Sequence, residues 1–488
     1  MDILNWIGDR HQPALNGRWL DNTEPATGRT YGRIPRSDAA DVAAAVAAAE
    51  AAFPTWSALH VDERSACILR LADAVRRHFD ELVATESRDN GKPVQVARHV
   101  DIPRAEKNLR FFATSVQHFV TESHVTAGTT HIHYVHRKPL GVVGVISPWN
   151  LPLYLFTWKL APALAMGNCV VAKPSEVTPA SAYLLSQWIT EAGFPPGVFN
   201  IVHGLGGEAG EAIVQHPRIK AISFTGGTAT GTHIARAVAG TQKKICLELG
   251  GKNPGILFAD CDFERALQTT LQSAFANQGQ ICLCASRILI EDSLYDRFRD
   301  ALVAKARAWK IGDPSLPETR MGAVASAAHQ AKILSYIEQA RQLGGTILCG
   351  GEAVVPEGER CAAGYFVAPT IIEGLDPQCA VNQEEIFGPV ITLQRFRDES
   401  EALALANATE YGLACTIWTE NLGRAHRMAA GVESGIAWIN CWLERDLRMP
   451  FGGVKNSGSG REGGIESLRF FSEPQSVCVY VGEGPAKS

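Results

Sequence analysis

Several common signatures are missing from this chain, and each absence closes off a class of function. Basic charge is not in excess: 46 Lys and Arg stand against 51 Asp and Glu, for a net charge of −5. The electrostatic footprint of a nucleic-acid-binding protein is therefore absent, and an anionic partner must be bound locally. No run of eighteen apolar residues occurs, so no transmembrane helix and no membrane partner are expected. The amino terminus, MDILNWIGDRHQP, lacks a basic region followed by an apolar stretch, and a soluble, untargeted protein is expected. Twelve cysteines are spread over 488 residues without a single CxxC pair. That is not the dense framework of a small disulfide-bonded domain, and free thiols in a reducing, cytoplasmic compartment are the expectation.

What is present is enough apolar material for more than one core. Hydrophobic residues make up 46% of the composition and charged residues 20%, and the length exceeds that at which one core stops growing. Residues 38–53, DAADVAAAVAAAEAAF, space Val42, Val46, Ala49 and Phe53 by four, three and four, a buried helical stripe that Pro54 is expected to end. Downstream, the β-branched runs GVVGVIS, NCVVAK, FNIVHG and KAISFTG alternate with helical patterns. Such alternation predicts an α/β fold with a parallel sheet covered by helices on both faces. A second series, SRILI, YFVAPTII and CTIWT, follows residue 250, so two α/β domains are expected to meet near Leu249 and Gly250. The strand TTHIHYVHRK turns Ile132 and Tyr134 to one face and His131 and His133 to the other. His136 has the wrong parity to join those two histidines, so a polar face rather than a metal site is expected. With the tail SVCVYVG, this strand is a candidate oligomerisation element.

Several polar groups stand at the ends of these runs. In LELGGKNP, Glu248 lies between Leu247 and Leu249; a desolvated carboxylate there has the raised pKa of a general base, though a strand glutamate facing water is the plainer reading. SPWN presents Asn150 behind a rigid Pro148–Trp149 turn, as an oxyanion donor or simply as a turn former. NCVVAK delivers Lys173, Ser175 and Glu176 to a turn, where a carboxylate can accept from ribose hydroxyls. Thr178 and Pro179 then read as an N-cap and first helical residue. Gly226, Gly227 and Gly231 lie between a strand and a helix pattern, where backbone amides can approach a phosphate. Their spacing is not GxGxxG, and a plain tight turn fits equally well. FANQGQICLCASR holds Cys282 and Cys284; their spacing is read as keeping both sulfurs from serving one site, so at most one is a nucleophile, and a free cysteine ordinarily behaves as a small hydrophobe.

Taken together, six blocks in order resemble the NAD(P)-dependent aldehyde dehydrogenases over nearly the whole chain: SPWNLPL, AKPSE, LELGGKNP, FANQGQICLCASR, EEIFGPV and PFGGVKNSGSGREG. The resemblance implies a Rossmann-like cofactor domain from residues 1–117 and 140–248, a catalytic domain at 249–449, and oligomerisation strands at 118–139 and 466–488, in a homodimer or homotetramer. It implies Cys282 as nucleophile, Glu248 as general base, and Asn150 with the Cys282 backbone amide as oxyanion donors. Ser147, Pro148, Trp149, Lys173, Ser175, Glu176, Phe224, Gly226, Gly227, Leu249, Glu385 and Phe387 are then the expected cofactor contacts. Glu176 favours NAD, because a carboxylate tolerates a free 2′-hydroxyl and repels a 2′-phosphate. One position departs: the usual FTGST is here FTGGT, so Gly227 replaces a serine that often holds the pyrophosphate.

DIPRAEKNLRFFA, SPWNLPLYLFTWKLAPA and NCWLERDLRMPFGG further resemble the branch acting on 2-aminomuconic and 2-hydroxymuconic semialdehydes, aldehydes that carry a distant carboxylate. Arg104 and Arg445 are the expected carboxylate ligands, with Trp158 lining the pocket; exposed ion pairs of Arg104 with Asp101, and of Arg445 with Glu444 or Asp446, are the alternative. A general aliphatic or retinal dehydrogenase, a non-catalytic crystallin-like protein, and a thioesterase or cysteine hydrolase built on Cys282 alone stay open as other readings.

Overall fold

The computed structural model describes residues 1–126 and 130–482; residues 127–129 and 483–488, which fall in the two expected oligomerisation segments, lie outside the described residues. Five parallel strands form the centre of the first sheet, in the spatial order Phe199–Ile201, Cys169–Lys173, Val142–Ile146, Ile219–Thr225 and Lys244–Glu248. In chain order this is 3-2-1-4-5, the doubly wound arrangement, with its switch point between Val142–Ile146 and Ile219–Thr225. Ligands of such sheets bind outside the carboxyl ends of the strands on either side of that point. Every residue of Val142–Ile146 and Cys169–Lys173 is buried, as both faces are covered by helices.

A second sheet of seven strands has Ala285–Glu291 near its middle, between Val390–Phe396 and Asn253–Leu257. The chain crosses from the first sheet to the second between Glu248 and Asn253. It returns late, when Gly458–Ser459 pairs antiparallel with Leu247 and Glu248. Cys282 precedes a strand of the second sheet, whereas Asn150 and Glu248 follow or end strands of the first. Carboxyl ends of one sheet therefore meet amino ends of the other.

The strands His131–Pro139 and Ser472–Tyr480 pair over nine residues, with Ser123–Val125 on the far edge. Ile132 and Tyr134 are exposed on one face while His131 and His133 are half-buried on the other. Among the described residues no three His, Cys, Asp or Glu side chains converge on a metal-sized site, and no single helix is long and apolar enough to cross a membrane.

Three local expectations are corrected. Pro54 does not end the first helix, which runs from Ala39 to Ala58; the last turn persists because Trp56 is fully buried and packs on Phe194 at 5.5 Å, so tertiary burial outweighs the missing donor. Thr178 does not cap the helix Ala180–Ser186. Its hydroxyl donates to the Trp149 carbonyl at 3.2 Å, while Asp89 accepts from the Ala180 N–H at 2.8 Å. YFVAPTII is two strands, Phe366–Val367 and Thr370–Glu373, parted at Pro369, which has no N–H to give a ladder. Trp56→Ala is expected to lower the unfolding free energy by about 3–5 kcal/mol, measured by chemical denaturation, whereas Pro54→Ala is expected not to destabilise.

Candidate active site

Three consecutive residues ahead of the thiol are left-handed: Asn277 (φ 50°), Gln278 (φ 60°) and Gly279 (φ 69°). Two of them carry side chains, a conformation costing roughly 1 kcal/mol or more each. Buried amides hold the turn. Gln278 donates to the Ala323 carbonyl at 2.8 Å, Asn277 to the Asn150 carbonyl at 3.0 Å, and the Gln280 side-chain oxygen accepts from the Ala325 N–H at 3.0 Å. No side chain fits at Gly279, where a Cβ would lie 2.2 Å from the Gly388 carbonyl oxygen.

Beyond the turn, the Asn253 amide donates to the Cys282 carbonyl at 2.7 Å and the Cys284 carbonyl at 2.9 Å. Its oxygen accepts from the Ala414 N–H at 3.1 Å, so one side chain ties the cysteine segment to two strands. Cys284 is buried in the apolar core, while Cys282 is partly exposed. No acceptor engages the Cys282 N–H among the described residues.

Asn150 is buried and donates one amide hydrogen to the Gln280 carbonyl at 2.9 Å. Its second hydrogen remains for another acceptor. Glu248, only 3% exposed, leaves one carboxylate oxygen without a hydrogen-bond partner among the described residues. Burial pushes its pKa well up and the Glu462 charge adds to this, against Lys159, Arg445 and Arg461. The thiol of Cys282 is likewise pushed up, first by burial and then by the Glu385 and Glu248 charges, while Arg445 opposes.

Glu462 and Lys159 are functional candidates that the sequence reading missed. Lys159 donates to Glu462 at 2.5 Å and to the Ser223 hydroxyl at 3.2 Å, all three being buried. The signal was available: Lys159 is the one charged residue of the wholly buried helix Pro152–Ala165, and such a lysine requires a carboxylate partner. Glu462 lies in the glycine-rich block PFGGVKNSGSGREG.

Cys282 opens on a cavity of 270 Å³ lined also by Pro148, Trp149, Asn150, Gly226, Gly227, Leu249, Glu385 and Phe387. Residues beside the ends of five strands, three of the first sheet and two of the second, thus meet near the switch point. Gly227 occupies the N-cap of the helix Thr228–Val238 with no capping side chain and open space around it, so the first-turn amides are unclaimed by a side chain. The Ser147 and Thr225 hydroxyls are buried without a partner among the described residues. Phe224 ends its run against Gly226. At the neighbouring strand end, Lys173 bonds Glu176 at 3.0 Å, and Ser175 accepts from the Val177 N–H at 3.2 Å. Burial would raise Glu176, but the Lys173 charge and two backbone N–H groups outweigh it and hold the carboxylate below its usual range.

Glu385 accepts from the Gly251 N–H at 2.9 Å. Phe387, itself left-handed at φ 62°, sets its ring edge-on to Trp149 at 5.3 Å. His329 and Lys332, not foreseen from sequence, complete this wall: His329 bonds the Phe387 carbonyl at 2.7 Å, and Lys332 donates to that of Glu385 at 3.0 Å.

Arg104 and Arg445 converge on Trp158, at 5.8 Å and 5.1 Å from its ring. Arg445 also stacks on Phe451 at 3.8 Å and donates to the Tyr154 hydroxyl at 2.9 Å. Neither arginine has an ion-pair partner among the described residues. Asp446 is taken by Arg448 and Asp101 by Lys92, so the alternative pairings are not made. Trp158 is fully buried beneath the guanidiniums, serving as their platform. One nitrogen of Arg104 is buried with no partner, and burial, then the nearby Arg445 charge, lowers its pKa. On the outer side Arg445 borders a groove of 1310 Å³ shared with Lys107, Phe111 and Phe451.

Comparison with known proteins places this geometry. The aldehyde dehydrogenase family model matches residues 13–477. Among similar proteins, a 2-aminomuconic semialdehyde dehydrogenase of Danio rerio is 48% identical over 98% of both chains. A 2-hydroxymuconic semialdehyde dehydrogenase of Pseudomonas sp. (strain CF600) is 46% identical, covering 98% of this chain and 99% of that one. Of solved structures, PnpE in complex with nicotinamide adenine dinucleotide superposes with a TM-score of 0.96 at 42% identity, covering 100% of this chain and 99% of that one. With its doubly wound sheet, and with Cys282, Glu248 and Asn150 brought together at the junction of two sheets, the chain belongs to the aldehyde dehydrogenase family.

Proposed function

We propose that this protein is an NAD-dependent dehydrogenase that oxidises a carboxylate-bearing semialdehyde, of the 2-aminomuconic or 2-hydroxymuconic kind, to the acid. The observation that carries the substrate is the pair of unpaired guanidiniums on one tryptophan, near enough that the Arg445 charge acts on both Cys282 and Glu248. Two partly buried cations without counter-ions favour an anion, and a guanidinium fork matches a carboxylate. In this reading the segments 1–117 and 140–248 form the nucleotide domain, 249–449 the catalytic domain, and 118–139 with 466–488 the contact between subunits of a dimer or tetramer.

The groups at these strand ends suit a dinucleotide, of which the 270 Å³ cavity would take the part nearest Cys282. Ser147, Thr225 and the open helix start at Gly227 offer donors, and Lys173 and Glu176 offer an ion pair suited to ribose hydroxyls. The ionised Glu176 carboxylate disfavours a 2′-phosphate. NAD, when bound, supplies the acceptor for the hydride.

The chain's own residues do the rest. The Cys282 sulfur attacks the aldehyde carbon, and the resulting oxyanion accepts from the second Asn150 amide hydrogen and the unclaimed Cys282 N–H. Loss of hydride from that carbon leaves a thioester. Glu248 takes a proton from water, whose oxygen attacks the thioester carbonyl, and sulfur leaves as thiolate while the acid departs. The Glu462–Lys159 pair lies close enough to set the basicity of Glu248.

Substrate choice is tested by steady-state kinetics on two aldehydes. Arg104→Ala and Arg445→Ala are each expected to raise KM about tenfold or more for a carboxylated semialdehyde, with little change for a neutral one; equal effects would return the arginines to a structural role. Cys282→Ser is expected to abolish NADH formation while NAD still binds, and Cys284→Ser to stay active; the reverse result would reassign the nucleophile. The pH profile tests the base. Glu248 works only when ionised, so thioester hydrolysis should rise as pH climbs through its elevated pKa; Glu462→Gln removes a charge that raises it and should shift the rising limb to lower pH.

A further inference from the structure

One buried lysine near the site has no part in the chemistry above. Lys92, 0% exposed, follows the helix Phe79–Asn90. Its ammonium pairs with the Asp101 carboxylate, itself wholly buried, and donates to the Asn150 carbonyl at 3.0 Å. Glu86, on that preceding helix and equally buried, accepts from the Leu153 N–H at 3.2 Å and faces Asp101. One oxygen of each carboxyl has no further partner among the described residues. A single ammonium cannot neutralise two carboxylates away from water, so one keeps its proton; burial and the Asp101 charge push Glu86 up.

Such a cluster is a poor way to gain stability. Withdrawing these charges from water costs several kcal/mol per ion, and well-packed apolar side chains in its place would be about as stable or more so. What distinguishes it is the backbone it joins. Lys92 grips the carbonyl of Asn150, and Glu86 the Leu153 N–H, the first that the helix Pro152–Ala165 has to give. Asp101 closes the π-helical turn Ala97–Asp101, directly before the helix Ile102–Ser115 that carries Arg104. π-turns of this kind recur at functional sites. From the opposite side, Asn277 donates to the same Asn150 carbonyl at 3.0 Å. Two buried donors therefore set the plane of this peptide.

We propose that Lys92 is a positioning residue for the reaction: held by Asp101, it fixes the Asn150 peptide so that the side-chain amide faces the oxyanion. The proposal rests on the assignment of Asn150 as an oxyanion donor.

A double-mutant cycle tests it. Turnover is measured at saturating NAD for Lys92→Met, Asn150→Ala and the combined variant, with one carboxylated and one neutral aldehyde. Lys92→Met is expected to lower kcat by about tenfold to a hundredfold for both aldehydes alike, with KM for NAD unchanged. In the Asn150→Ala background the same change should cost no more than about threefold, because residues acting through one group are not additive. Losses that multiply in the combined variant overturn the proposal, as does a Lys92→Met kcat within about twofold of the unaltered enzyme. An Asn150→Ala enzyme with undiminished kcat would instead refute the oxyanion assignment, and this proposal with it. Because Lys92→Met strands two buried carboxyls, Lys92→Met/Asp101→Asn removes both charges of the pair together. It should fold where the single variant fails, and it is held to the same outcomes.

Discussion

Left-handed backbone at Asn277 and Gln278 is held by their buried side-chain N–H groups, which donate to the Asn150 and Ala323 carbonyls, and the position of the Cys282 thiol depends on that turn. The restraint is made from neutral groups. Amide-to-carbonyl bonds from Asn277, Gln278 and Asn253 fix geometry without placing a further charge beside a sulfur that must ionise. They also knit the two sheets: Asn277 reaches the Asn150 loop of the first, and Asn253 holds the strands of the second. A buried polar network of this kind is stiff because each broken bond exposes an unpaired group in a low-dielectric interior.

Charge is then distributed around that neutral frame. Glu385 lines the cavity, and Glu248, Glu385 and Glu462 oppose ionisation of one another or of the thiol. Lys159 and Arg445 pull the other way. The same arrangement that raises the carboxyl of a proposed base also raises the thiol, so both rest nearer neutrality than their exposed counterparts would. Toward the groove the balance reverses: Arg104 and Arg445 face each other without counter-ions, held on Trp158, Tyr154 and Phe451. Aromatic faces keep two like charges in place, and although Arg104 donates once to Asn108 and Arg445 once to Tyr154, N–H groups remain on each for an incoming anion.

Much of this was readable in advance where chemistry is carried by short contiguous blocks. The strand runs and the crossing near Leu249 and Gly250 follow from local pattern, while Cys282, Glu248 and Asn150, each with a plainer reading alone, stand in blocks whose order resembles one family. Less visible were groups whose meaning depends on a distant partner. Lys159 is an ordinary lysine until Glu462 is placed against it, and Asn253 is one letter of LELGGKNP until the cysteine segment folds over it. Pro54 and Thr178 show the opposite error. Local rules for a helix end and an N-cap were outweighed by the burial of Trp56 and by a hydroxyl drawn to the Trp149 carbonyl.

By itself the sequence determined the alternation of strands and helices, the absence of charge suited to nucleic acid, and the family to which the ordered blocks belong, since these follow from periodicity and from residues adjacent in the chain. Only the tertiary structure decided which arginines lack ion-pair partners, which carboxyls act on one another, and which lysine grips the Asn150 peptide. Those properties arise from burial and from charges brought within a few ångströms by folding, and neither quantity is encoded at any one position.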